Sequence, residues 1–151
     1  VYTLKFAVFL LSGICNMSQA TITLLQNYYD AFNRQDMDAF LNMLTDDVIH
    51  DVNQAGREIG KEKFSAFMDR MNAHYKEQIV DISITTNEAG DRAAVEFTVL
   101  GEYLSTDEGL PEANGQKYNL PAGAFFVIRD GKVARITNYY NLEDWVKQVV
   151  G

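Results

Sequence analysis

The sequence predicts an α+β domain, with helices gathered in the first half and a mainly antiparallel sheet built by the second. Apolar residues recur at helical spacing through residues 22–44 and again through 64–75. Long alternating runs then occupy residues 78–86, 92–104, 118–129 and 132–140. The strongest turn signal in the chain, Asp130-Gly131, joins the last two runs as a hairpin.

Taken in order, Ile22, Leu25, Tyr29 and Phe32 mark the buried face of a first helix, widened by Leu24, Tyr28 and Ala31. Asp36 is a good N-cap for a second, short helix carrying Met37, Phe40, Leu41 and Leu44 on one side. Asp46-Asp47 closes it, and the period changes to two over Val48–Val52. There Val48, His50 and Val52 share one strand face while Ile49 and Asp51 share the other. A loop runs on to Gly60. The third helix places Phe64, Phe67, Met68, Met71 and Tyr75 on one side and most of its charges on the other, as a helix lying on a sheet does. After the strands, Asn141 with Glu143 and Asp144 reads as a capped helix start, and Trp145, Val146 and Val149 give that helix one apolar edge. The expected order is helix, helix, strand, helix, four strands and a terminal helix.

The 151 residues suit one domain, with a core that removes roughly two thirds of the unfolded surface from water. Thirteen basic against 21 acidic residues argue against a nucleic-acid surface, which needs Lys and Arg to neutralise phosphates. A single cysteine, Cys15, excludes an intramolecular disulfide framework. His50 and His74 stand in no ligand-type spacing, so neither a metal nor another cofactor is expected. Residues 1–16 read differently from the rest. Their apolar run from Phe6 to Leu11 is far shorter than the ~20 residues of a membrane span, so stable membrane insertion is not expected. The segment reads as a mis-assigned start ahead of Met17, which makes the protein cytoplasmic, as a signal or anchor with Lys5 as its n-region, which makes it secreted or periplasmic if cleaved, or as a structural strand or helix. The single folded domain is then 17–151.

Three stretches carry a family resemblance: YYDAFNRQDMDAFLNMLTDDVIHD, the Gly60–Phe64 spacing and FFVIRDGKVARITNYYN. Over about residues 20 to 145 the chain resembles the nuclear transport factor 2-like superfamily, and within it SnoaL-like and ketosteroid isomerase-related proteins. The resemblance implies a cone-shaped, cystatin-like fold, with N-terminal helices packed on a strongly curved, mainly antiparallel sheet around an interior pocket. It also implies a homodimer. Because this fold hosts many activities, the reaction must be argued from the site.

Ketosteroid isomerases combine an Asp base with a Tyr and a protonated Asp that donate to the developing enolate oxygen. By resemblance the Tyr falls on Tyr28. The base falls on Val52, with Asp51 beside it on the opposite face, and the donor acid falls near Ala124, so neither carboxylate is present. His50 projects from the same strand face as Val52, and an imidazole suits proton transfer at neutral pH. Tyr28 and His50 are therefore the catalytic candidates; each has an alternative as a hydrogen-bonded core residue. Candidates for substrate contact are Asp51 (if a bulge turns it inward), Asn53 in the following loop with Gln54, and Phe64, Met68 and Phe126 on an apolar wall. Phe32, Phe40, Met43, Phe67 and Met71 extend that wall. Asn138 and Tyr140 join them as the inward set with Ile136, and Tyr103 on the Val95, Phe97, Val99 face. A packed aromatic belt or a dimer surface is the other reading of that set. The acidic stretch STDEGLPEANGQ is either a solvated hairpin loop or a lid.

The function expected is that of an isomerase, cyclase or dehydratase acting without a cofactor on a hydrophobic carbonyl compound, by proton abstraction and enolate stabilisation. Its alternatives are a non-catalytic small-molecule-binding module and a homodimeric assembly domain.

Overall fold

The first helix, α1 (Tyr2–Asn33), turns Leu25, Tyr28, Tyr29 and Ala31 into the core, as its spacing requires. The computed structural model describes residues 2–53 and 55–151, with side chains from Met17 onward. Val1, the side chains of residues 2–16 (Cys15 among them) and all of Gln54 lie outside the described residues, as do the mis-assigned-start and signal readings of residues 1–16. Among the described residues no helix is long and apolar enough to cross a membrane.

Helix α2 (Met37–Asn42) starts where Asp36 accepts the Ala39 N–H at 3.1 Å. It stops before Leu44, which the sequence placed on the helix. The Met43 carbonyl instead accepts the Val133 N–H at 2.9 Å and Leu44 pairs with Val133, so β1 (Leu44–Val52) begins earlier than expected. The expected loop to Gly60 contains a further strand, β2 (Gly56–Ile59), antiparallel to β1. Its lone large apolar residue, Ile59, is 56% exposed, so backbone pairing forms this strand and no side-chain alternation announces it.

Helix α3 (Lys61–His74) buries Phe64 and Met68. It is followed by β3 (Tyr75–Thr86), β4 (Arg92–Tyr103), β5 (Gln116–Arg129), β6 (Lys132–Tyr140) and α4 (Leu142–Val150). The six strands run in the order β2-β1-β6-β5-β4-β3. All neighbours are antiparallel except β1 and β6, which are parallel. The register slips between Leu44 and Ile49, between Val80 and Ser83, and between Val127 and Ile128. Such bulges bend a sheet and deepen its twist, and here they give the sheet its curve. Helix α1 packs on β3, α3 on β1, and α4 on β5, so the helices close the curve over one face.

Two devices hold α1 in place. The Asn33 amide brackets one residue of the edge strand, donating to the Ile79 carbonyl and accepting its N–H, both at 2.8 Å. At its other end, the Thr21 hydroxyl donates to the Gly90 carbonyl at 2.5 Å. Gly90 has φ +69°, and a Cβ there would stand 2.7 Å from the Met17 backbone, so only glycine fits between turn and helix.

Candidate active site

The helices and the curved sheet enclose a cavity of about 470 Å³. His50 reaches it from β1, where its neighbours are Glu58 on β2 and Ile136 on β6. The ring lies 4.8 Å from Phe64 and 4.5 Å from Phe67, centroid to centroid. Its Nδ1 is buried with no hydrogen-bond partner. Burial pushes the imidazole pKa down, against a weaker upward pull from Glu58 and Asp51, so the ring is held neutral. Tyr28 reaches the same cavity from α1, tilted on Phe40 at 4.3 Å and edge-on to Phe126 at 5.6 Å. Burial pushes its pKa up, so the phenol keeps its proton and can act as a donor.

Asn53, Phe64, Met68, Asn138 and Tyr140 all line this cavity. Asn53 Nδ2 also donates to the Asn138 carbonyl at 2.6 Å, tying the end of β1 to β6. Phe32, Phe40, Phe67 and Met71 extend the wall, whereas Met43 does not.

Three expectations for substrate contact need correction. Asp51 borders the cavity, but its carboxylate is occupied by Arg57, at 2.6 and 3.1 Å, and by Arg135 at 2.6 Å. Those bonds, the Arg57 one foremost, hold its pKa down to about 2 and tie both its oxygens to arginines. Tyr103 turns inward as its strand phase requires, yet it does not line the cavity. Tyr75 stacks on it at 5.2 Å, Trp145 stands edge-on at 5.1 Å, and its hydroxyl accepts the Asp107 N–H at 2.8 Å. Phe126 is likewise covered, by the edge-on rings of Tyr28 and Tyr29.

The acidic loop between β4 and β5 contributes to the cavity wall. Asp107 is buried, accepts the Tyr75 hydroxyl at 3.1 Å and the Glu108 N–H at 2.9 Å, and has Arg70 at 3.8 Å and His74 at 3.9 Å. Glu108 and Leu110 line the cavity with it.

Sequence reasoning passed over Glu77. In register, Glu77 on β3 pairs with Gly101 on β4, which pairs with Tyr118 on β5. A Cβ on Gly101 would lie 2.0 Å from the Tyr118 ring. Because glycine is there, the tyrosine lies flat across the middle strand and its hydroxyl donates to Glu77 Oε1 at 2.6 Å. Burial pushes the Glu77 pKa up, and the Tyr118 hydrogen bond offsets this in part. Among the described residues no cation pairs with Glu77. Tyr75, Tyr118 and Trp145 line the cavity around it. An isolated glycine inside a strand marks a close approach, and that signal was present at Gly101. Among the described residues no group of three or more His, Cys, Asp or Glu is arranged to hold a metal ion.

Comparison with known proteins gives the same architecture. The SnoaL-like domain family matches residues 25–136. A "putative polyketide cyclase" from Pseudomonas putida KT2440 is 61% identical, with TM-score 0.82 over 83% of this chain and 95% of that one. A "putative polyketide cyclase" from Xanthomonas campestris pv. campestris is 54% identical, with TM-score 0.85 over 88% of this chain and 98% of that one. An NTF2-like protein of unknown function from Burkholderia pseudomallei K96243, at 16% identity and TM-score 0.74 over 87% of this chain and 98% of that one, shares the fold alone. No curated protein matches the chain.

Proposed function

Since the chain belongs to the SnoaL-like domain family, within the nuclear transport factor 2-like superfamily, we propose that it is an enzyme of the isomerase, cyclase or dehydratase type acting on a hydrophobic carbonyl compound. One observation carries this reading: a neutral imidazole and a protonated phenol share the wall of one largely apolar cavity. Its volume of about 470 Å³ falls within the range of small-molecule sites.

In this mechanism His50 takes a proton from the carbon next to the substrate carbonyl. The C–H electron pair becomes a C=C bond, and the carbonyl π pair moves onto oxygen, where the Tyr28 hydroxyl stabilises the charge by donating a hydrogen bond. In a substrate with a β,γ C=C, His50 returns the proton to the γ-carbon while the oxygen pair re-forms the C=O and the remaining C=C lies α,β. Asn138 and Tyr140 orient the substrate, and the step needs no cofactor. Turnover of an isomerase, cyclase or dehydratase substrate should fall at least ~100-fold in His50→Ala and in Tyr28→Phe. Unchanged kinetics in both variants would remove the mechanism.

The protein acts, in this proposal, as a homodimer. The outer sheet face exposes Leu100 with Phe125 and Tyr139, whose rings meet edge-on at 5.7 Å, and exposed apolar patches of this kind mark association surfaces.

A further inference from the structure

We infer that Glu77 forms a second oxygen-binding subsite in the same cavity, with its carboxyl group donating a hydrogen bond to a carbonyl or enolate oxygen of the ligand, and that Tyr118 positions it. The inference rests on the reading above and deepens it by specifying the substrate. Glu77 is half-buried and lines the cavity, so its remaining surface opens onto the interior. Its Oε1 is taken by the Tyr118 hydroxyl, and among the described residues nothing bonds its Oε2. The guanidinium on this side of the cavity, Arg70, stands beside Asp107, whose oxygens also hold the Tyr75 hydroxyl and the Glu108 N–H.

Desolvation in the cavity wall and the lack of a paired cation both favour the neutral form of the carboxyl, and its pKa is raised. Because Tyr118 already donates to Oε1, the acid proton belongs on Oε2. There it can be given to an acceptor oxygen of a ligand in the cavity. Gly101 makes the arrangement possible by leaving the middle strand bare for the tyrosine to cross.

Tyr28 reaches the chamber from α1 and Glu77 from β3, and both line it. Donors from two such elements fit a ligand with oxygen functions at two positions on an apolar body. The substrate class is thus a hydrophobic compound with at least two carbonyl or enol oxygens. No proton leaves Glu77 in this role; the hydrogen bond alone holds the oxygen.

The test compares two probes by isothermal titration calorimetry: a trans-decalin diketone with one carbonyl on each ring at opposite ends, and the corresponding monoketone. The diketone should bind wild type about 2- to 10-fold more tightly than the monoketone, the yield of one well-placed hydrogen bond. The advantage should persist in Glu77→Gln, whose amide nitrogen is still a donor, and vanish in Glu77→Met. An equal affinity of wild type for both probes, an advantage kept in Glu77→Met, or one lost in Glu77→Gln overturns the inference. Should Glu77→Met not fold, Tyr118→Phe reads the same gap: a smaller gap supports the positioning role, and an unchanged one overturns it. Deuterium exchange at the α-carbons of the diketone, followed by NMR, separates the two readings. The affinity pattern without exchange sinks proton abstraction and leaves the Glu77 subsite standing; exchange without the pattern does the reverse.

Discussion

At the scale of single residues, the same burial that perturbs His50 predicts its pH behaviour. Its pKa is lowered from the ordinary 6.5, so the free base persists to lower pH than in an unfolded chain. Activity that depends on the base should therefore hold through neutrality and fall only below 6.5, and the NMR titration midpoint of His50 should lie below that value. Stability follows the same sign. The unfolded chain binds the proton at its ordinary pKa while the folded one resists it, so the His50 contribution is complete above 6.5 and shrinks as the pH falls below it. Facing of this residue was legible because Val48–Val52 alternates cleanly. Burial of Tyr103 behind Tyr75 and Trp145 was not, since strand phase says which side a residue takes but not what lies on top of it.

At the scale of elements, the bulge in β3 decides most of what was hidden. Asp81 adopts φ 54° where the β3–β4 register slips between Val80 and Ser83. Before it Tyr75, Glu77 and Ile79 face inward; after it Ile82 and Ile84 take the core side. A strict period of two counted back from Ile84 therefore assigns Glu77 to solvent. The early start of β1 escaped for a related reason, because Leu44 satisfies helical spacing with Met37, Phe40 and Leu41 while its partner lies on distant β6. The three-strand row of Glu77, Gly101 and Tyr118 supplies its own test. Gly101→Ala would drive a methyl into the Tyr118 ring, so urea denaturation should show a loss of about 1–3 kcal/mol, the usual cost of overpacking. Tyr118→Phe, which keeps the ring and loses only the hydroxyl, should cost less than Gly101→Ala.

At the scale of the whole molecule, the α+β order and the terminal helix were readable because long periodic segments dominate the chain. The parallel neighbour of β1 was not, since no local pattern tells a strand which distant segment it will join. For the proposed dimer the useful residue is Phe125, 51% exposed beside Tyr139 at 50%. Phe125→Glu puts a charge into that patch without touching the cavity. Sedimentation should then report half the wild-type mass, while probe binding in the cavity stays unchanged; wild-type mass retained in this variant counts against the surface.

The parallel pairing of β1 with β6 also dictates when the chamber can exist during synthesis. The histidine-bearing ribbon of β1 and β2 emerges from the ribosome early, but its mate follows only after three intervening strands have been made. Until then the ribbon has an open edge and no wall to complete. A nascent chain halted before residue 132 would lack the strand beside its imidazole, and the hollow that gives that group a purpose closes with the final strand.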